Sequence, residues 1–379
     1  MTTNNSILNA RNFASRSSTT SGIQEAIDAL PEAGGTVFVP AGRYLIRRSV
    51  VLRSNVTLCG EGAATVIGRP REKILKVTKR VSKNKTHAFL EDTKGLRIGD
   101  EIMISDDEQR GYWARHGIIR EIKNDRVNLE LLECDPEKVY LPAKNAIASN
   151  YFPGLWIPRV DGVTIKDLTI DGGTKRHRAP KGNFTNAGIH CRTSYDVRIL
   201  NVTVRNWQAD GIGVQSGESA IVSHCTVDNC RGPGLHPGTG LKNSIWSNNV
   251  SRNNTTDGFF FCLRVVQAVV EGNLFFRNRG HGMANLTDPD RYNILKANVC
   301  AENGQHGIEA ARAVGNVIQG NILRNNSQEK QGKYAGIYLE EHKDNNVTGN
   351  VFIDDQDRPT QKHKIISLNP SGENVIQEG

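Results

Sequence analysis

The sequence predicts an all-β solenoid, a parallel β-helix, and three observations carry that expectation. The first is a repeat of about 24 residues marked by six glycine-plus-apolar pairs: Gly188-Ile189, Gly211-Ile212, Gly234-Leu235, Gly258-Phe259, Gly282-Met283 and Gly307-Ile308. The steps are 23, 23, 24, 24 and 25 residues, and one of 29 then reaches Gly336-Ile337. A period in this range means one supersecondary unit stacked on itself. The second is the content of the unit, two or three short β-type runs such as Asn201-Val-Thr-Val204 and Gly211-Ile-Gly-Val214. None is long or periodic enough for a helix, which excludes helical repeats. The third is a pair of asparagine columns on the same beat. One is Asn206, Asn229, Asn253, Asn278, Asn303 and Asn326; the other is Asn201, Asn249, Asn273, Asn298, Asn321 and Asn350, with His224 once in place of Asn.

In a parallel β-helix each turn sits one strand spacing, about 4.8 Å, above the last, so equivalent positions become ladders. The column after the glycine (Ile189, Ile212, Leu235, Phe259, Met283, Ile308, Ile337) is expected to point inward. The column Val202, Cys225, Val250, Leu274, Val299, Ile322 and Val351 is expected to stack inside likewise. The asparagines are assigned to bends, where a short amide tolerates the left-handed region. Along the chain, 1–33 reads as an N-terminal arm and cap helix, 34–70 as the first turns, and 71–148 as a charged, β-rich insertion that breaks the rhythm. Residues 149–356 read as the main turns and 357–379 as a tail or cap, all in one domain. The cap helix is predicted from Ser21-Gly-Ile-Gln24, which has capping-box form, followed by Ile23, Ala26, Ile27 and Leu30 at helical spacing until Pro31. Its expected length is about ten residues.

Composition narrows the function classes. The chain has 379 residues and a formal net charge of +8, with a pI near 9.1. That balance suits an acidic partner. No helix-turn-helix, zinc-finger or RNA-recognition pattern is present, and the basic residues do not cluster in one run, which argues against nucleic acid. No hydrophobic stretch approaches a membrane span. Met1–Ala10 is polar and lacks a signal-peptide pattern, which leaves the compartment open. Seven cysteines without metal-ligand spacing read as core thiols, Cys225 and Cys191 among them. No phosphate loop, cofactor motif or metal-ligand spacing is found.

Gly22-Ile-Gln-Glu-Ala-Ile27 followed by Gly34-Gly-Thr-Val-Phe-Val-Pro-Ala-Gly-Arg-Tyr44 resembles the opening of the pectate-lyase-like superfamily. With the repeats, the resemblance covers about three quarters of the chain. It implies a right-handed parallel β-helix acting on or binding polysaccharide in a groove along one sheet, and it leaves the reaction open. It also implies that a homotrimer is possible, and it leaves room for calcium on outward carboxylates. Asn254-Thr-Thr-Asp-Gly258 and Gly280-His-Gly282 are similar to elements of polygalacturonases, but the paired aspartates expected between them are absent and the two turns are adjacent. Gly234-Leu-His-Pro-Gly238 is similar to an alginate-epimerase element, with His236 where that family has Asp.

The repeat indicates which residues share an outer face. Just before the glycine stand Asp210, Asp257, His281 and His306; two positions after it stand His190, His236, Phe260, Glu309 and Tyr338. Asp210 and Asp257 lie two turns apart, about 9.6 Å at strand spacing, near the range that admits a water in inverting hydrolysis. Candidate catalytic groups are therefore Asp210, His236, Asp257, His281, His306 and Glu309. His236 serves as base if the reaction is β-elimination, and Asp257 as acid with Asp210 as base if it is hydrolysis. His281 and His306 are expected about 5 Å apart on successive turns, so at least one should be neutral. His190, Arg192, Arg231 and Arg264 are candidate binding groups for an acidic sugar, with Arg279 flanking the same strip, Arg for its bidentate grip on carboxylate. Phe260, Tyr338 and Trp207 are candidate stacking platforms. The expected function is cleavage of an extended, uronate-containing polysaccharide by β-elimination or hydrolysis. A non-catalytic glycan-binding or structural β-helix, or a uronan C5-epimerase, is the alternative.

Overall fold

The computed structural model of the protein describes residues 6–108, 114–132, 138–173, 184–287 and 290–377. It is a parallel β-solenoid of about 14 turns. One face is a ten-stranded parallel sheet whose strand order is simply the chain order, from Val50–Val51 through Leu155–Pro158, Ile189–Tyr195, Ile212–Glu218, Leu235–Gly238, Phe259–Phe260, Met283–Ala284, Ile308–Ala311 and Ala335–Glu340 to His363–Leu368. The short strands of the other faces join into one larger sheet. In the ten-stranded sheet Ile189, Ile212, Leu235 and Phe259 pair in register, as do Met283, Ile308 and Ile337 further on. All seven are fully buried, so the column after the glycine is core as expected.

The second expected core column is displaced by one residue. Thr203, Thr226 and Val250 pair in register, so Val202 and Cys225 align with Asn249, not Val250. Beyond Cys225 the interior position belongs to Asn249, Asn273, Asn298, Asn321 and Asn350, each at most 1% exposed. Val250, Leu274 and Val299 face outward and are half-buried, while Ile322 and Val351 are exposed. The bend is the residue before: Asn201, His224, Asn248 and Ala297 hold positive φ, and glycine does so at 272, 320 and 349. The interior amides form a ladder. The Nδ2 of each donates to the Oδ1 of the next at 2.9–3.0 Å from Asn249 to Asn350, and the same Oδ1 accepts a backbone N–H. A second ladder runs Asn254, Asn278, Asn303 and Asn326. Neutral amides satisfy each other where stacked carboxylates would repel.

The cap helix is Ile23–Ala29, seven residues. The expected Ser21 cap is not used: Gly22 occupies the N-cap in the left-handed region, and Ser21 Oγ donates to Leu45 O. Thr20 Oγ1 accepts from Gln24 N–H instead, and donates to Glu25. The helix buries Ile23, Ala26 and Ile27 on the first turns. Residues Ile74–Lys76 to Ile147–Ser149 bound a six-stranded antiparallel sheet with its own apolar cluster. It is tied to the first turns by Arg47, bidentate to Asp100 at 2.6 Å, and by Glu101, which accepts from Ser49 N–H and Oγ–H. Cys191, Cys225, Cys230 and Cys300 are buried, while Cys59 and Cys262 are half-buried; Cys134 lies outside the described residues.

Candidate active site

The outward residues of the ten-stranded sheet divide into an open groove and a closed pocket beside it. The groove, of about 750 Å³, is lined by Asp257, Phe260, His281, His306, Glu309 and Tyr338, six of the residues expected from sequence. Asp257 Oδ1 accepts the His281 N–H at 2.7 Å. The same relation recurs on the next two turns, where His281 Nδ1 accepts from His306 N–H at 3.2 Å and His306 Nδ1 from Ala335 N–H at 2.9 Å. With Nδ1 accepting, a neutral ring carries its proton on Nε2. The two imidazoles stack with centroids 5.3 Å apart and planes within 6°, and Tyr338 stacks on His306 at 4.7 Å. Burial pushes His281 down to about 4. Burial and the neighbouring His281 push His306 down to about 3. Both rings are therefore neutral hydrogen-bond donors at neutral pH. Glu309 accepts from Asn285 N–H, and burial raises its pKa.

The closed pocket holds Asp210, His236 and His190, which are 1%, 6% and 2% exposed. This corrects the expectation that Asp210, His236 and Asp257 share one solvent-facing groove: only Asp257 lines it. His236 Nδ1 donates to Asp210 Oδ2 at 2.6 Å. Burial opposes the imidazolium charge, but the Asp210 bond, helped by the nearby Cys262, outweighs it and raises His236 to about 9. A ring held protonated is not a base, so the base role expected of His236 is lost. Asp210, tied to His236 and shut from water, is not placed to activate a water either. Phe184 packs its ring against His190 and His236, with centroids 5.9 and 6.2 Å away. Burial, with Arg192 adding to it, lowers His190 to about 3, and His116 of the insertion acts in the same direction. Phe260 is the shared wall, edge-on to His236 at 5.1 Å and facing the groove.

Of the expected basic groups, Arg231 is half-buried on the closed side, near Tyr151. Arg264 is exposed on a turn past its strand and acts on Asp290 rather than the groove. Trp207 is not a stacking platform. It is fully buried in the core, its Nε1 donating to Asn186 O, because the chain turns inward there before reaching the outer sheet. Arg279, expected beside the strip, lines the groove, and residues beyond those expected include Thr255, Thr256, Glu329 and Tyr334. Tyr334 sits in the longer 29-residue step, and Thr255 and Thr256 within the Asn254-Thr-Thr-Asp-Gly258 element, which marks them in the sequence. The Arg279 guanidinium has no hydrogen bond or ion pair among the described residues. Among those residues no group of three or more His, Cys, Asp or Glu is arranged to hold a metal ion.

The buried histidines set an acid limit. Unfolded, each takes a proton near its ordinary pKa of about 6.5; folded, His190, His281 and His306 refuse it until about pH 3–4. Stability should thus fall as pH drops below about 6.5, by roughly 1.4 kcal/mol per pH unit for each ring. His236 acts oppositely, its contribution being full below about 6.5 and lost as pH rises through about 9. Urea midpoints should be highest near neutrality and clearly lower at pH 5. Equal midpoints at pH 7 and pH 5 would contradict the neutral burial of these rings.

The family described as "Right handed beta helix region" matches residues 187–376. "Rhamnogalacturonase A/epimerase, pectate lyase-like" matches 14–236. Among solved structures, the mannuronan C-5 epimerase AlgE4 A-module of Azotobacter vinelandii is similar at 17% identity and TM-score 0.57, over 99% of this chain and 98% of that one. The polygalacturonase of Erwinia carotovora ssp. carotovora is similar at 13% identity and TM-score 0.54, over 98% and 94%. The tailspike protein 2 enzymatically active domain of bacteriophage CBA120 is similar at 9% identity and TM-score 0.60, over 98% of this chain and 47% of that one. At these identities the likeness concerns the fold. No curated protein matches the sequence.

Proposed function

The chain belongs to the pectate-lyase-like superfamily of right-handed β-helix proteins, and from that premise we propose that it cleaves an extended, uronate-containing polysaccharide by β-elimination. The observation that carries this reading is the placement of Asp257. Its carboxylate lies against Gly280, where a Cβ would come within 2.3 Å of Oδ1, and the uncommitted Arg279 is the next residue back in the same groove. A uronate whose carboxylate faces Arg279 has its C5 proton made more acidic, because the guanidinium stabilises the charge that develops there. Asp257 takes that proton. The electron pair forms the C4–C5 double bond, the C4–O bond breaks, and the leaving oxygen is protonated from water. His281 and His306 offer Nε2–H donors to sugar oxygens, and Phe260 and Tyr338 supply the walls.

Asp257 accepts the amide N–H of residue 281 and Glu309 that of residue 285, so backbone donors anchor both carboxylates in the groove, and the products distinguish elimination from hydrolysis. The test is incubation with a panel of uronans and neutral glycans, following ultraviolet absorbance of unsaturated uronate and new reducing ends together. Elimination predicts both signals on a uronan. Reducing ends without absorbance would assign hydrolysis, and binding without either signal would leave a glycan-binding module.

A further inference from the structure

The column of residues before the marker glycines has one irregular member. In the three turns from Asp257, the backbone N–H of one turn donates to the side chain of the turn before: His281 to Asp257, His306 to His281, Ala335 to His306. Asp210 stands in the same column, but the residue that should serve it is Pro233, which has no N–H. The bonding around the two aspartates is otherwise repeated. Gly232 N–H donates to Ala209 O at 2.9 Å as Gly280 N–H donates to Thr256 O at 2.8 Å. Each carboxyl packs on that glycine, since a Cβ at Gly232 would lie 1.8 Å from Asp210 Oδ1. The outcome is a carboxylate oxygen, Asp210 Oδ1, buried from solvent with no hydrogen-bond partner among the described residues. Its other oxygen takes the His236 proton donor at 2.6 Å.

We propose that Pro233 is a positioning residue: by withholding the N–H that later turns supply, it leaves the buried Asp210 carboxylate with His236 as its one donor among the described residues, and so fixes a positive charge behind Phe260. A carboxylate that accepts several hydrogen bonds is stabilised by all of them, and its hold on any one proton weakens. With a single donor, the full charge acts on the imidazole through one short, charge-assisted bond. An unsatisfied buried oxygen costs stability, which is the kind of cost that sites carry for function. The other titratable groups facing His236 are Cys262 on the next turn and His190 beyond Gly213. That the charge serves an acidic sugar rests on the proposed function; that it is held by the missing amide does not.

The test is Pro233→Ala, which restores the amide. Histidine side-chain NMR, with His236 assigned by its substitution, should show its titration midpoint falling from about 9 towards the ordinary histidine range. The melting temperature should rise, and kcat/KM on a uronan should fall by tenfold or more. An unchanged midpoint overturns the inference, whatever the activity. A lowered midpoint in a protein inactive on every uronan upholds it and overturns only the proposed substrate. If Pro233→Ala does not fold, Asp210→Asn in the native background decides: His236 must then titrate below the ordinary range, and a midpoint that stays high overturns the inference.

Discussion

Asn249→Asp should lower stability by about 3–5 kcal/mol, while the same change at its neighbour, Asn248→Asp, should stay within about 0.5 kcal/mol. Asn249 is interior. Its Nδ2 donates to Val222 O and Asn273 Oδ1, both at 2.9 Å, and its Oδ1 accepts from Cys225 N–H. An aspartate keeps the accepting side but turns oxygen towards two oxygens and buries a charge with no cation beside it. Asn248 is an exposed bend residue with φ of 54°, a conformation that aspartate also tolerates. Thermal melting of both variants should show a loss on the order of 10 °C for the first and little for the second. Similar melting temperatures would mean that the interior ladder does not hold the stack.

Asp257→Asn should reduce kcat by two or more orders of magnitude with the melting temperature nearly unchanged. The amide keeps an oxygen for the His281 N–H, whereas an amide cannot take a proton from carbon. KM should change little, because Phe260, His281, His306 and Tyr338 still line the groove. Activity within a few-fold of the native protein would remove Asp257 from the chemistry and direct attention to Glu309.

The solenoid was legible because glycine-plus-apolar pairs mark successive turns from Gly188 to Gly336, and the pair Gly211-Ile212 means the same thing structurally as Gly307-Ile308. What misled was asparagine occupying two adjacent positions, as in Asn248-Asn249 and Asn253-Asn254. One is the bend and the other the interior ladder, and nothing in composition tells them apart. The column therefore slipped by one residue and Val250 was read as core, although Ser251 is the inward residue. The groove was legible in part for the same reason, since register alone aligns Asp257, His281 and His306. Burial was not legible. Phe184, just ahead of the first marker pair and outside the repeated positions, packs on His236, and Pro233 matters through an N–H it lacks. Neither effect leaves a periodic trace.

The central claim is that this groove recognises an acidic glycan through its carboxylates. The direct measurement is calorimetric binding of a uronate oligosaccharide to the inactive Asp257→Asn protein, beside the same oligosaccharide with its carboxyls reduced to alcohols. With Arg279 in the groove and the His236 charge behind Phe260, the native oligosaccharide should bind at least tenfold more tightly, a difference of about 1.4 kcal/mol or more. The advantage should shrink as salt is raised. Equal affinity for the two forms, or binding that Arg279→Met leaves unchanged, would contradict the account.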